Sequence, residues 1–208
     1  MIIKDFNIRT ALLQSGKNEF LEHGFKDASL RTICRNAGLS TGAFYTHFRS
    51  KEELFSALVD PVVSTFEPFF NGLMDRELED LSTGIENEVT SIAFAVNHRD
   101  EFRLLFSCSA GTAYENFRSD LINEVFYPGY QKVFDRYAER RVDPALVKIV
   151  LMMKFEEYME LIYGGYSMEE ITKLITNLAI FSKAGFSEML KTIRKEEQDS
   201  PGEEHPGF

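Results

Sequence analysis

The chain has 208 residues, of which 44% are apolar, and a formal net charge of −10 at pH 7. This length allows one large or two small domains. We expect a cytoplasmic protein without a membrane segment, because the sequence has neither an apolar run of 18 residues nor a signal-peptide pattern. Its two cysteines, Cys34 and Cys108, are too few and too far apart for a disulfide framework or a zinc ligand set, and no cofactor is expected.

The spacing of apolar residues predicts an all-α fold. Apolar residues recur at intervals of three and four along most of the chain, and no segment shows sustained strand alternation bounded by turn signals. The chain also contains only six prolines. Long helices are therefore expected throughout.

Three short helices are predicted at the N-terminus, over residues 5–23, 29–37 and 41–47. Gly24 ends the first helix, Ser29 caps the second, and Ser40 caps the third. Gly38 supplies the left-handed residue that ends the second helix without a Cβ clash. Two short helices joined by a glycine-containing turn are typical of a helix-turn-helix, whose second helix normally lies in the DNA major groove.

A fourth helix is predicted from Ser50, where Ser50-Lys51-Glu52-Glu53 has the pattern of a capping box. Pro61 and Pro68 each lack a backbone donor, so a bend or break is expected near them. Further helices are predicted near residues 84–97, 100–109, 113–139, 144–163 and 167–195. The expected domains are residues 1–51 and 52–195, followed by a polar tail, residues 196–208, which is predicted to be disordered.

Charge is distributed unevenly between the two expected domains. The whole chain is acidic, which alone argues against a nucleic-acid partner. Residues 1–51 nevertheless carry a net charge of +4, whereas residues 52–208 carry −14. Phosphate binding requires a local basic surface, so this asymmetry favours DNA binding by the N-terminal domain.

The turn and its flanking residues resemble the signature of the TetR family of transcriptional regulators, over about residues 8–58. The segments that carry the resemblance are Ala37-Gly38-Leu39-Ser40, Gly42, Phe44-Tyr45, His47-Phe48 and Ser50-Lys51-Glu52-Glu53-Leu54. The resemblance implies an N-terminal three-helix helix-turn-helix domain, followed by a helical domain for ligand binding and dimerisation. An ordinary helical hairpin explains the glycine and the serines, but not the cluster of Tyr45, His47 and Lys51.

By position, the resemblance assigns phosphate contacts to Tyr45, His47 and Lys51. A phenol, an imidazole and an ammonium all suit an oxyanion. The alternatives are core packing for Tyr45 and a capping or core role for His47. Arg31 matches a position from which family members reach guanine, the base that arginine most often contacts. The full expected DNA-binding set is Ser29, Arg31, Ser40, Thr41, Gly42, Ala43, Tyr45, His47 and Lys51.

The resemblance also implies a homodimer on a double-stranded operator, because one domain has few base-reading side chains. Apolar stripes on the last two helices are candidate dimer surfaces: Ile149, Met152, Met153 and Met159, and Ile171, Leu174, Leu178, Phe181 and Gly185. The alternative is that these stripes face the monomer's own core. The region from residue 52 onward holds 21 aromatic residues, which suit an apolar effector. The expected ligand-binding set is Phe66, Phe70, Phe102, Phe106, Tyr114, Phe117 and Tyr127.

The sequence therefore predicts a transcriptional regulator, most readily a repressor, released from its operator by a small apolar or aromatic effector. The alternative is a DNA-binding protein of the same fold that senses no small molecule and acts through a protein partner or architecturally. An enzyme is not expected, because the sequence lacks a phosphate-binding glycine loop, an HExxH motif and a nucleophile elbow.

Overall fold

The computed structural model describes residues 2–138 and 141–198, and every regular element in these ranges is helical, which confirms the all-α prediction. A 3₁₀ turn covers Leu81–Thr83, and a short π-helix covers Leu121–Phe126. None of the described helices combines the length and apolarity needed to cross a membrane. The α-helices are α1 (Ile2–Asp27), α2 (Leu30–Asn36), α3 (Thr41–Phe44), α4 (Lys51–Glu79), α5 (Gly84–Asn97), α6 (Arg99–Ser107), α7 (Phe117–Asp120), α8 (Tyr127–Ala138), α9 (Pro144–Tyr163) and α10 (Met168–Gln198).

The backbone divides into two compact units, to both of which α4 and α5 contribute. The first unit comprises the chain up to Phe70 together with Phe94–Val125. The second unit comprises Asn71–Ala93 and the chain from Phe126 onward. The division of the chain into functional domains at residue 51 stays a prediction.

The first unit is built around α1, which packs against α2 and α6. Phe20 and Phe55 are fully buried. Their ring centroids lie 5.3 Å apart, and Phe25 lies 5.8 Å and 5.5 Å from them. Each such aromatic pair contributes about 0.5–1.5 kcal/mol beyond its buried area. The Phe25 amide also donates to the carbonyl of Cys108 at 2.8 Å, so the end of α1 is tied to the residue that follows α6.

The second unit places α8 between α9 and α10. Its core includes Phe134, Ala138, Val142 and Val147, all at most 4% exposed. Asp143 caps α9 by accepting from the Ala145 amide at 2.8 Å. These contacts fix the helices that carry the predicted dimer stripes.

Beyond the helix-turn-helix, three segments differ from the helices predicted from sequence. Helix α4 continues through both Pro61 and Pro68, so the helix does not break there, and the alternative of a bend stays a prediction. The predicted helix over residues 113–139 is divided, because Gly111–Asn116 forms turns and a π-helix precedes α8. Helix α10 extends to Gln198, so residues 196–198 of the predicted tail are helical, and residues 199–208 lie outside the described ranges.

Candidate nucleic-acid interface and pocket

The turn between α2 and α3 has the geometry predicted from its sequence. Gly38 has φ 70°, the left-handed conformation that favours glycine. The Leu39 amide donates to the carbonyl of Cys34 at 2.8 Å, which closes the end of α2. Ser29 and Ser40 are the N-caps of α2 and α3, and their hydroxyls accept from the amides of Thr32 and Ala43 at 3.3 Å and 3.1 Å. The three-helix arrangement therefore rests on local hydrogen bonds.

Polar residues of α1 fix the position of α2. The buried Ser15 hydroxyl donates to the carbonyl of Ile33 at 2.8 Å. The carboxylate of Glu19, also buried, accepts from the Ser29 amide at 2.8 Å. A Cβ on Gly16 would lie 2.6 Å from a methyl of Leu54, so a larger residue would force this side chain of α4 to shift. Sequence reasoning did not identify these roles, because each partner lies ten or more positions away.

The residues expected to read bases share an exposed surface. Arg31 on α2 is exposed, and so are Thr41 and Gly42 at the start of α3. Ala43 is partly buried. On the other side, Phe44 and Phe48 are at most 2% exposed, and their rings lie 5.7 Å apart. The apolar side of α3 is thus anchored in the first unit while its polar start faces solvent.

Tyr45 and His47 follow α3 in a turn, because the helix ends at Phe44 rather than at His47. The Tyr45 side chain is 59% exposed, and its ring packs edge-on against Phe44 at 5.3 Å. Burial against α1, the alternative role for Tyr45, is therefore not observed. His47 is partly buried. The phenol of Tyr45 can reach a ligand outside the unit without breaking a core contact.

The ammonium of Lys51 binds main-chain carbonyls of the protein, whereas the expected acceptors were DNA phosphates. Its ammonium donates to the carbonyls of Phe25 at 2.6 Å, Ala28 at 2.9 Å and Lys26 at 3.4 Å. It also lies 4.6 Å from the centre of the Phe25 ring. Desolvation by burial lowers the pKa of Lys51, against the opposing effect of Asp27 and Glu19. A phosphate contact requires the ammonium to leave these carbonyls, so the assignment of Lys51 to DNA stays a prediction.

At the start of α4, one of the two hydrogen bonds of the predicted capping box is present. The Ser50 hydroxyl accepts from the Glu53 amide at 3.1 Å. The carboxylate of Glu53 accepts from the amide of Arg49 at 2.5 Å, one residue before the position that the motif implies. This exchange positions the N-terminus of α4 beside the end of α1.

Six of the seven predicted ligand-binding aromatics lie in the first unit, where rings follow one another in contact. Phe66 lies 6.2 Å from Phe70 and 5.3 Å from Phe102. Phe106 lies 5.5 Å from Phe102 and 5.9 Å from Phe117. Phe66, Phe70 and Phe102 are at most 5% exposed. These rings pack against one another. That they also line a ligand cavity stays a prediction.

The two tyrosines of the set, Tyr114 and Tyr127, are held by polar contacts. The Tyr114 hydroxyl donates to the carboxylate of Asp60, and burial, followed by this carboxylate, raises the pKa of Tyr114. Tyr127 belongs to the second unit, where its hydroxyl donates to the side-chain carbonyl of Gln131 at 3.1 Å. Tyr127 therefore contacts a neighbour on its own helix, α8, and belongs to a different unit from the other six residues of the set.

A pocket of about 280 Å³ lies within the second unit, among residues of α4, α5, α8, α9 and α10. None of the seven predicted ligand-binding aromatics is among its lining residues. Its lining includes Tyr130 and Phe134 of α8 and Phe186 of α10, together with the carboxylates of Glu77 and Glu88. Its volume is near the lower end of the range of about 300–1,000 Å³ typical of ligand pockets. The sequence did not indicate this site.

The helices α9 and α10 leave part of the predicted dimer stripes exposed. Ile149 and Met153 of α9 are 60% and 67% exposed, and Phe181 of α10 is 74% exposed. Leu174 is also exposed, whereas Ile171 is fully buried and therefore belongs to the core of the second unit. An exposed cluster of large apolar residues is typical of a surface that another molecule covers.

Comparison with known proteins places the strongest similarity in the first 60 residues. A family model described as "Bacterial regulatory proteins, tetR family" matches residues 12–58. The chain is 41% identical over 51 residues to the HTH-type transcriptional regulator UidR of Escherichia coli (strain K12), covering 24% of this chain and 26% of that protein. It is 40% identical over 55 residues to the HTH-type transcriptional repressor AcnR of Corynebacterium efficiens, covering 26% and 29%. The matches thus span about a quarter of the length of these curated relatives.

The similarity in fold extends over most of the chain. The solved structure of NalD, the secondary repressor of the MexAB-OprM multidrug efflux pump in Pseudomonas aeruginosa, superposes with a TM-score of 0.55. The two chains are 19% identical, and the superposition covers 83% of this chain and 93% of that one. At this identity the likeness concerns the fold alone.

Proposed function

Because the chain belongs to the TetR family of transcriptional regulators, we propose that it is a dimeric repressor that binds a pseudo-palindromic operator and is released by a small, largely apolar effector. Members of this family are regulators rather than enzymes. The observation that carries DNA binding is the exposed start of α3, with Thr41 and Gly42 outward and Phe44 buried behind them. The basic N-terminal segment supports the same partner.

Within this proposal, the exposed residues divide into two groups. Arg31, Thr41, Gly42 and Ala43 approach base edges and set sequence preference. Tyr45 and His47 contact phosphates, with the hydroxyls of Ser29 and Ser40 beside them and Lys51 as a further candidate. Phosphate contacts supply affinity for all sequences and make it strongly dependent on salt.

Dimerisation is proposed through α9 and α10. The exposed side chains of Ile149, Met153 and Phe181 support this assignment. A dimer places two copies of α3 at half-sites separated by about one turn of DNA. Dimerisation therefore doubles the number of base contacts without adding residues to the chain.

Effector response follows from linkage. A ligand that weakens operator binding by some factor must bind free protein more tightly than operator-bound protein by the same factor, with a coupling of about 1–3 kcal/mol. The pocket in the second unit supports a ligand-sensing protein. The ring-to-ring packing of Phe66 and Phe102 instead favours the alternative of a DNA-binding protein without an effector.

Footprinting of the purified protein on DNA flanking its own gene tests the proposal. We expect a protected, pseudo-palindromic site, and we expect Arg31→Ala to weaken binding to it. Arg76→Ala is a matched control, because Arg76 is an exposed arginine of the second unit that pairs with Glu86 at 3.0 Å. Failure to protect any site, or equal loss for both variants, would contradict DNA recognition by the first unit.

A further inference from the structure

The pocket of the second unit combines apolar walls with buried charge. Apolar side chains that line it include Val133, Phe134, Val150 and Phe186. The ionisable side chains in the lining come from five helices and comprise Glu77, Glu88, Tyr130, Lys154, Glu157 and Lys183. Such a combination is typical of sites that bind an apolar molecule through one polar group.

Lys154 does not balance the carboxylates of this pocket. Its side chain is 11% exposed, and its ammonium lies 2.9 Å from Glu88 and 3.3 Å from Glu157. Among the ion pairs of the described residues, Lys154 is thus committed to two carboxylates, and no lysine or arginine lies within ion-pair distance of Glu77. With Lys183 included, three carboxylates face two ammonium groups, so the lining has an excess of negative charge.

Glu77 is held in an unfavourable environment for a carboxylate. Burial raises the pKa of Glu77, and Glu88 adds to this effect, whereas Asn87, Lys154 and Lys183 oppose it. Burial also raises the pKa of Tyr130, and its next three causes are Glu88, Glu77 and Glu157. The charges of Glu88, Glu77 and Glu157 therefore act together on Tyr130.

The local backbone gives Glu77 the space to reach the pocket. A Cβ on Gly84 would lie 3.2 Å from its Oε1, so the carboxylate passes close over a glycine. The main-chain carbonyl of Glu77 accepts from the Tyr137 hydroxyl at 2.7 Å, which fixes the helix beneath the side chain. The carboxylate is therefore carried by a rigid element.

We propose that this pocket binds a small organic cation, with its protonated amine at Glu77 and its apolar part against Val133, Phe134 and Phe186. An anion is disfavoured, because the three carboxylates of the lining outnumber the ammonium groups of Lys154 and Lys183. A neutral ligand leaves the partly buried carboxylate of Glu77 without an ion-pair partner. A cation supplies that charge and forms a charge-assisted hydrogen bond.

The assignment of this cation as the effector rests on the proposed function, whereas its binding does not. Met153 and Phe181 belong both to the pocket lining and to the face proposed for dimerisation. Binding is therefore measured on the full chain at a fixed protein concentration. DNA binding is measured on the same preparation without ligand, so a failure of either measurement leaves the other interpretable.

Calorimetry with three matched probes tests the proposal: 4-phenylbutylammonium, the neutral 4-phenylbutanol and the anionic 4-phenylbutyrate. We expect the amine to bind at least about tenfold more tightly than the alcohol. Glu77→Gln should remove this preference while leaving binding of the alcohol unchanged. Glu79→Gln is the matched control, since Glu79 lies two residues away on α4 and is exposed.

A second measurement uses the wild-type chain alone. As pH falls through the raised pKa of Glu77, the affinity for the amine should fall while the affinity for the alcohol stays constant. Equal binding of amine and alcohol, tighter binding of the butyrate, or no binding of any probe would overturn the proposal. So would an amine preference that survives Glu77→Gln.

Discussion

Replacing Lys51 with methionine separates two roles for this side chain, as a structural clamp and as a phosphate ligand. In the structure its ammonium holds the carbonyls of Phe25 and Ala28 at 2.6 Å and 2.9 Å. A hydrogen bond from a charged donor contributes about 1.5–3 kcal/mol. Methionine keeps the aliphatic stem beside the Phe25 ring but loses both donors.

The expected loss of folding free energy is about 2–4 kcal/mol. Two bonds to a charged donor contribute about 3–6 kcal/mol together, and water that reaches the half-buried carbonyls of Phe25 and Ala28 offsets some of this loss. For a chain of this size, each kcal/mol lowers Tm by roughly 2–4 °C. Thermal unfolding followed by circular dichroism should therefore show a decrease of about 4–16 °C for Lys51→Met.

Lys26→Met is the matched control for the thermal experiment. Lys26 is exposed and lies next to the clamp, but it contributes only its main-chain carbonyl, at 3.4 Å from the Lys51 ammonium. The control removes the same charge without removing a donor to the carbonyls of Phe25 and Ala28. We expect its Tm to remain within about 2 °C of the wild type, because a surface change of this kind alters stability by at most about 0.5 kcal/mol.

The salt dependence of DNA binding tests the other role of Lys51, the phosphate contact. Each phosphate neutralised by a lysine contributes about 0.9 to the slope of log K against log salt concentration. If the ammonium of Lys51 stays on its carbonyls, Lys51→Met leaves this slope unchanged. An unchanged Tm together with a slope reduced by about 0.9 would refute the clamp and restore the phosphate contact.

Four further variants test other parts of the molecule. Arg31→Ala should relax preference at one base pair per half-site, costing about 1–3 kcal/mol there, as measured by anisotropy on operator and random DNA. Phe181→Glu should give a folded monomer in light scattering; a persistent dimer would place the interface elsewhere. Gly16→Ala should lower stability by about 1–3 kcal/mol in urea unfolding, through overpacking against α4. Glu77→Gln should raise Tm at neutral pH relative to Glu79→Gln. Because the folded pKa of Glu77 is raised, this gain should vanish below its unfolded pKa, where Glu77 is protonated in both states.

The helix-turn-helix was predictable because its signals are local. Gly38, Ser29 and Ser40 act through their own backbone conformation or on amides three residues away, so the sequence alone specifies the turn and both caps. The burial of Phe44 and Phe48 follows in the same way from their i, i+4 spacing. Interactions over such short separations are unaffected by the rest of the fold.

The long-range polar contacts of the first unit were not predictable. Nothing in the sequence context of Ser15 and Glu19 indicates that they bond to Ile33 and Ser29. The direction of Lys51 was missed for the same reason. A lysine at the start of a helix can reach outward or back, and the carbonyls at the end of α1 decide between the two.

Helix boundaries in the middle of the chain failed where apolar spacing and backbone conformation disagree. Residues 113–139 keep an apolar periodicity, yet Gly111 has φ 86° and the Thr112 hydroxyl accepts from the Tyr114 amide at 3.0 Å. These local bonds favour turns over the first helical residues. Conversely, α4 continues through Pro61 and Pro68 although each proline leaves an α-helical carbonyl without its usual donor.

The pocket shows most clearly why function is harder to read than fold. The aromatic residues led to the prediction of a ligand site around Phe66 and Phe102. In the structure these two rings pack against each other. Glu77 lies on α4, whereas Lys154 and Glu157 lie on α9, and the two helices meet only in the folded second unit. A carboxylate kept where burial raises its pKa lowers stability at neutral pH. A bound cation would recover that stability. The desolvation of the Glu77 carboxylate, which lowers the stability of the free protein, therefore favours a cationic ligand over a neutral one.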